Sequence, residues 1–425
     1  MYLLLFQTLK NTLFVGFREN QRHGKTTLTK NIVTQIFVKN DNVHDVNGLL
    51  VVVAYHNKAP IPGGCNMEFN TEIAPYASVQ TLDTMVIVDV QPASVPLNDS
   101  VKLTCEKNPV EVEMYQIFLN EQDFSMNSYF TAITSMLTVT DIKKNGVKVA
   151  NRVISSPMRR VFSAYTGVGS VYVALATYGK YSAAYVPAFS YACHPTIDPA
   201  SCDVLPNLLS KIICAFCFFI GLLSICFGHH YLKADMALPI FFTGTVIGYA
   251  AAGDILIAMG IGLCFMILWL ACLSYLPIVF SGIMFNMTLG FLLACVAYSQ
   301  SPDSFIILQN DWVFWSLFIT LAIGLGLITT IMLQFGFVMT CAIIGSFMVI
   351  LPLDYWTGSS LKYILINIIR RITVEGFNSA AVRPPSEAND IALIIFWSCL
   401  VLYRIWKQWC KVGVLDLAER TPLLR

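Results

Sequence analysis

The sequence predicts a membrane all-α seven-helix bundle preceded by a β-rich, sandwich-like extracellular or lumenal domain. Three observations predict it. Seven long apolar stretches lie between Leu208 and Trp406, joined mostly by very short polar gaps. Hydrophobic residues make up 56 % of the 425-residue chain and charged residues only 12 %, more oil than a soluble domain of this length can hide. The first 200 residues instead hold short β-forming runs separated by turn clusters. The expected division is therefore 1–204 for the β-rich domain, 205–407 for the bundle and 408–425 for a short cytosolic tail.

In the first region the β-rich runs are Leu49–Ala54, Thr84–Val90, Val101–Cys105, Val147–Ile154, Ser170–Thr177 and Ala183–Ala192. Turn chemistry such as Pro60-Ile-Pro-Gly-Gly64, Pro92–Ser100 and Gly179-Lys180 punctuates them. Four widely spaced cysteines, Cys65, Cys105, Cys193 and Cys202, precede the first span, an even set that suggests two disulfides with three possible pairings. Cys193 and Cys202 close the smallest loop, which favours that pair; the other reading is free buried thiols. Asn98-Asp-Ser100 is a glycosylation sequon on a turn-like stretch, usable if that side faces the lumen. No metal-ligand spacing is present before the bundle, and the Cys214/Cys217 CxxC lies inside an apolar span.

The spans are expected at Leu208–Gly228, Met236–Ala252, Ile255–Leu273, Pro277–Tyr298, Trp312–Leu333, Gly336–Leu353 and Ile391–Trp406. A helix rising ~1.5 Å per residue needs about 20 apolar residues to cross a ~30 Å hydrocarbon core. Charges such as Lys211, Lys233, Asp235, Asp254 and Asp311 bound the spans, because each costs ~2.5–3.5 kcal/mol at the bilayer centre. Gly244 and Gly248 form a GxxxG in the second span, a small-residue surface for internal packing or, alternatively, for a dimer.

An odd number of spans puts the termini on opposite sides. With the cysteine-bearing domain outside, the cytosolic segments carry Lys233, Arg404, Lys407, Lys411, Arg420 and Arg425, against Lys362, Arg370, Arg371 and Arg383 outside. That margin of six to four is small, and the sequon and cysteines support the same orientation. In the long connection 354–390, Leu361, Leu365, Ile368 and Ile372 share a helical face. This predicts either a helix lying on the outer membrane surface or one packed across the end of the bundle. The tail ends Glu419-Arg-Thr-Pro-Leu423-Leu424, an acidic dileucine pattern of the kind clathrin adaptors read.

Other chemistry is weaker. Gly24-Lys-Thr-Thr27 evokes a phosphate loop, but Glu19 stands where glycine is required. A receptor coupled to G proteins would carry an acidic-Arg pair after span three and Asn-Pro-x-x-Tyr in span seven, which this chain lacks. No catalytic constellation, cofactor motif, metal site or nucleic-acid-binding pattern stands out, and His229 and His230 read as solvated gap residues. A small-solute or ion transporter or channel is the alternative function. It would need ionisable groups inside the bundle, and Asp235, Asp254 and Asp354 all fall at expected span ends.

Pro62-Gly-Gly-Cys-Asn66 with Glu68-Phe69, Ser182-Ala-Ala-Tyr-Val-Pro187 and Tyr191-Ala-Cys193 form one ordered set. Phe227-Gly-His229, Val313-Phe-Trp315, Ile344-Gly-Ser346, Asp354-Tyr-Trp356 and the tail motif continue it. Together they resemble the transmembrane 7 superfamily member 3 family, and the bundle also resembles the transmembrane protein 198 family domain. The resemblance implies a signal-peptide-bearing, glycosylated ectodomain before seven spans and a non-enzymatic role. It ties that role to cell survival under stress (restraint of programmed cell death, the unfolded-protein response) and to insulin secretion. The expected place is the plasma membrane or the endosome–lysosome system, with the bilayer and unidentified proteins as partners. Against the family pattern, Met1-Tyr-Leu-Leu-Leu-Phe6 is short for a signal peptide and the ectodomain is shorter, which predicts an incomplete or alternative amino terminus.

Overall fold

The computed structural model describes residues 2–7, 13–19, 34–40, 48–53, 55–65, 76–96, 110–150, 158–195, 197–205, 207–227, 232–275, 278–301, 305–331, 333–385 and 387–420. Asn98, Cys105, His229, His230, Leu423, Leu424 and the stretch 24–27 lie outside them.

Among the described residues four strands come first: β1 (Tyr2–Gln7), β2 (Leu13–Glu19), β3 (Thr34–Asn40) and β4 (Gly48–Val53), pairing β1 with β4 and β2 with β3. The head proper follows, with β5 (Ala77–Thr81), β6 (Met85–Val90), β7 (Glu111–Glu121), α1 (Met126–Thr134), α2 (Val139–Asn145), β8 (Val147–Val149), β9 (Arg159–Ser163), β10 (Val168–Tyr178), β11 (Tyr181–Ala184) and β12 (Ala188–Ser190). One sheet runs β5-β6-β9; the other runs β11-β10-β7-β8, with β12 also on β10.

The composition of β10 follows from its place. Its side chains alternate between two covered faces. Val171, Val173 and Leu175 pack with Ala132, Met136 and Ile142 of the α1–α2 layer. Tyr172, Ala174 and Ala176 meet Val86, Val88 and Phe162 of the smaller sheet. The smaller sheet is two-sided as well. Val86, Val88 and Val90 point into the head core, while Met85 and Val161 join the core of the helical region. Apolar residues on both faces are thus what lets a sandwich sit on a bundle.

Among the described residues, seven helices are long and apolar enough to cross a membrane. They are α3 (Leu208–Phe227), α4 (Leu232–Ala252), α5 (Ile255–Tyr275), α6 (Ile278–Ser299), α7 (Asp311–Ile331), α8 (Leu333–Thr357) and, after the shorter α9 (Tyr363–Thr373), α10 (Ala388–Arg420). Tight hairpins have local causes. Gly253 ends α4 in the left-handed region, and the Asp254 carboxylate accepts the N–H groups of Leu256 and Ile257 at 2.7 and 3.2 Å, capping α5. Gly244 and Gly248 face α5: a Cβ there would come within 2.9 Å of Phe265 and of Ile261 respectively. Helix α8 is the pillar, 72 % buried, with α3 and α10 packed on it; α10 is only 11 % buried.

The connection between α8 and α10 packs across the end of the bundle rather than lying exposed on a membrane surface. Ile364, Leu365 and Ile368 of α9 are buried in one cluster with Met85 and Val161 of the head and with Leu292, Phe314 and Ile350 of the bundle. The stretch after α9 then adds to the head's smaller sheet: Ala381 forms a parallel bridge with Phe162, donating to Val161 O and accepting from Ser163 N at 2.9 Å each. The outer face of the head's smaller sheet thus shares one apolar cluster with α9 and the bundle.

Candidate functional site

Polar groups join the helices at three levels, and the richest lies at the joint between head and bundle. Lys362 opens α9 with its ammonium 2.8 Å from Glu121 Oε2 at the end of β7 and 3.6 Å from Asp354 Oδ2 on α8. Their side chains are 7, 6 and 0 % exposed. Asp354 also accepts the backbone N–H groups of Leu361 and Lys362 at 2.8 and 2.9 Å, satisfying donors that the start of a helix leaves open. Asp390, one turn into α10, accepts from Ser360 N, Ser360 Oγ and Glu387 N. The Glu387 carboxylate lies close to Glu121. One buried ammonium therefore stands among four carboxylates from β7, α8, α10 and the segment leading into α10. Burial pushes the carboxyls of Glu121 and Glu387 above their ordinary range, Asp390 adding to the rise at Glu387.

The paired arginines of α9 are divided between the two bodies. Arg370 donates to Ala164 O at 2.6 Å and to Ser163 Oγ at 2.9 Å in the head. Arg371 donates to Leu308 O and Asp311 Oδ1 at the start of α7, with its guanidinium 4.5 Å from the Phe314 ring centroid. Asn367 accepts from Ser163 Oγ at 2.8 Å, and Tyr165 donates to Val382 O at 2.8 Å. Every turn of α9 thus holds both sides, which an exposed surface helix could not do.

At the middle level, Asn286 of α6 donates to Thr330 of α7 at 3.1 Å and accepts from Thr340 of α8 at 3.0 Å, all three buried. Trp397 of α10 donates to Ser346 of α8 at 2.9 Å. At the level farthest from the head, Arg404 of α10 donates to Asp235 of α4, and Ser224 of α3 donates to the same carboxylate. Both ions are almost fully buried. Lys407 reaches Cys226 O at 2.7 Å.

Two expectations change here. Asp235 is not a solvated boundary charge, and Arg404 is not a free cation of the tail; each is buried against the other. The sequence carried a signal for this, because Arg404 falls inside the expected last span, where a charge needs a partner. The Lys362 cluster left none, since Lys362 lies 241 residues from Glu121. Of the sites expected from the sequence, Cys193 and Cys202 are disulfide-bonded, with Cα atoms 5.1 Å apart. Cys65 is also disulfide-bonded, to a residue outside those described. Glu419 lies near the end of α10, its side chain undescribed. Among the described residues no group of His, Cys, Asp or Glu could hold a metal ion.

Two family models match the chain. Residues 60–196 match the TM7SF3-like second immunoglobulin-like domain, and residues 214–409 match the TM7S3/TM198-like domain. The chain is similar to transmembrane 7 superfamily member 3 of human, mouse and rat, at 24, 24 and 25 % identity, over 92 % of this chain and 76 % of each relative. No solved structure matches.

Proposed function

Because the chain joins a TM7SF3-like second immunoglobulin-like domain to a TM7S3/TM198-like domain, it belongs to the TM7SF3-like family, and we propose that it is a non-enzymatic membrane protein working through interactions, its head and tail tied by one joint. The observation that carries this reading is the Glu121–Lys362–Asp354 contact, where head, connection and bundle meet. From that point α10 runs unbroken to Arg420 at the other end of the bundle. A partner that displaces the head therefore acts on the helix that bears the tail.

In this reading the head is lumenal or extracellular, where an oxidising medium keeps the Cys193–Cys202 bond and Asn98 carries a sugar. The tail is cytosolic, and Glu419, Leu423 and Leu424 sort the protein between the plasma membrane and the endosome–lysosome system through clathrin adaptors. The roles implied by the family resemblance, survival of stressed cells and insulin secretion, would rest on protein partners.

Co-purification with mass spectrometry in gentle detergent tests this reading, comparing the natural chain with Lys362→Met. Partners of the tail that are lost when the joint is broken support it; identical partner sets remove it. Changing Leu423 and Leu424 to Ala is expected to move the protein towards the cell surface, and an unchanged distribution would remove the sorting claim. For the stress role, cells depleted of the protein should die more readily under chemically induced unfolding stress and recover with the full chain restored.

Transport remains a second reading because the buried Asp235–Arg404 pair and the Asn286 triad place polar groups inside the bundle. The paired ions cancel one another, which leaves little net charge for a solute to meet. Flux of ions or small solutes into proteoliposomes would favour transport over interaction.

A further inference from the structure

Strand β7 is longer than the strand that covers its outer edge. On one side β10 pairs with it from Glu111 to Phe118 and again at Glu121, with a bulge at Leu119 and Asn120. On the other, β8 pairs only with Met114, Tyr115 and Gln116. Among the described residues, the backbone from Ile117 to Asn120 has no strand partner on that side. Four residues of open edge run for about 14 Å, and such an edge is a template for another chain.

A cavity of about 460 Å³ opens along this edge, within the roughly 300–1,000 Å³ of ordinary binding clefts. Ile117 and Asn120 line one wall, Asn145 and Val147 close one end, and Glu387 and Asn389 form the far wall at the start of α10. The carboxamides of Asn120, Asn145 and Asn389 both donate and accept, which suits peptide groups. At the far end of the edge the Glu387 carboxylate lies close to the backbone of Glu121. The charge is one-sided, since no cationic side chain lines the cavity among the described residues and Lys362 is shared between Glu121 and Asp354.

We propose that the cleft between β7 and the start of α10 is a strand-addition site that takes an extended peptide bearing a lysine or arginine, its backbone pairing with Ile117–Asn120 and its cation meeting Glu387. Main-chain hydrogen bonds supply the affinity and the acidic wall the selectivity. The inference deepens the interaction reading by naming a partner class, but it does not depend on any response in the tail.

The test uses the full chain in lipid nanodiscs and fluorescein-labelled hexapeptides of alternating valine and threonine. One set carries lysine at the third position, one carries glutamate there, and one carries lysine with every second backbone nitrogen methylated. Saturable binding is expected for the lysine set, with the glutamate and methylated sets each weaker by about ten-fold. Glu387→Gln should narrow the lysine–glutamate gap to about two-fold, and Asn389→Trp, a change at an exposed position, should abolish binding without lowering the thermal midpoint. Hydrogen exchange should slow at residues 117–120 when the lysine set is bound. No saturable binding up to about 1 mM, equal binding of the methylated set, or competition by free lysine amide as strong as by the peptide would each overturn strand addition. Peptide binding that leaves tail partners unchanged would keep this site and remove the head-to-tail reading; the reverse pattern would do the opposite.

Discussion

Arg404 on the last helix and Asp235 on the second span form a buried ion pair between segments 169 residues apart in sequence. The geometry is asymmetric. One guanidinium nitrogen reaches the carboxylate, while Nε and Nη1 of Arg404 have no partner among the described residues. Such a pair is worth little against apolar replacements, yet breaking it from one side leaves an unpaired buried charge.

Asp235→Ala and Arg404→Ala are therefore each expected to destabilise the protein by about 3–5 kcal/mol, whereas the double change Asp235→Leu with Arg404→Met should cost far less than their sum. Thermal midpoints of the detergent-solubilised protein, followed by size-exclusion chromatography, measure this. Additive losses would show that the two residues act separately.

Lys362→Met removes the cation shared by Glu121 and Asp354. The expected loss is about 3–5 kcal/mol, concentrated at the joint. Hydrogen exchange should rise in α9 and at residues 380–382, whose backbone pairs with β9, while the inner strands of the head keep their protection. Uniform loss of protection would mean that head and bundle do not separate there.

Acid should tighten this joint. Glu121, which faces Lys362, Asp354 and Tyr363, and Glu387, beside Asp390, both titrate above the ordinary 4.5 because they are buried. The folded state therefore holds protons that the unfolded state has released. Their contribution is fully present below about 4.5 and is lost as pH rises through the raised values. The midpoint of unfolding should fall with rising pH across that window, and Glu121→Gln should flatten the slope. A slope of opposite sign, or one unaffected by the substitution, would refute the assignment.

Two glycines offer a paired test of helix packing. A Cβ on Gly290 would lie 2.1 Å from Ala322 O on the facing helix, but one on Gly324 would meet nothing within 4 Å. Gly290→Ala should cost about 1–3 kcal/mol by forcing α6 from α7, and Gly324→Ala should be neutral or stabilise by up to about 1 kcal/mol. Equal effects would show that close backbone approach is not what holds that pair.

The spans were legible because lipid allows few alternatives. A run such as Ile255–Tyr275 states its own length and neighbours. The head was harder. The central strand β7 reads Glu-Val-Glu-Met-Tyr-Gln-Ile-Phe-Leu-Asn-Glu, with charges at both ends and no clean alternation, because its two edges and two faces meet different surroundings. The buried charges were least legible. Asp354 and Arg404 look like punctuation in one dimension, and only folding brings their partners from distant elements. The helix α9 showed its apolar face in the sequence, but not the arginines' division between head and bundle, since what covers an amphipathic helix is a property of its neighbours.

Thirty-three residues without a break make α10 about 50 Å long at ~1.5 Å per residue, well beyond a ~30 Å hydrocarbon layer. A rod of that kind conserves azimuth: a few degrees of swivel imposed where Asp390 grips Ser360 reappear at its distal tip. The last turns of α10 would then rotate in place rather than shift up or down, so azimuth, not depth, would be the quantity that changes.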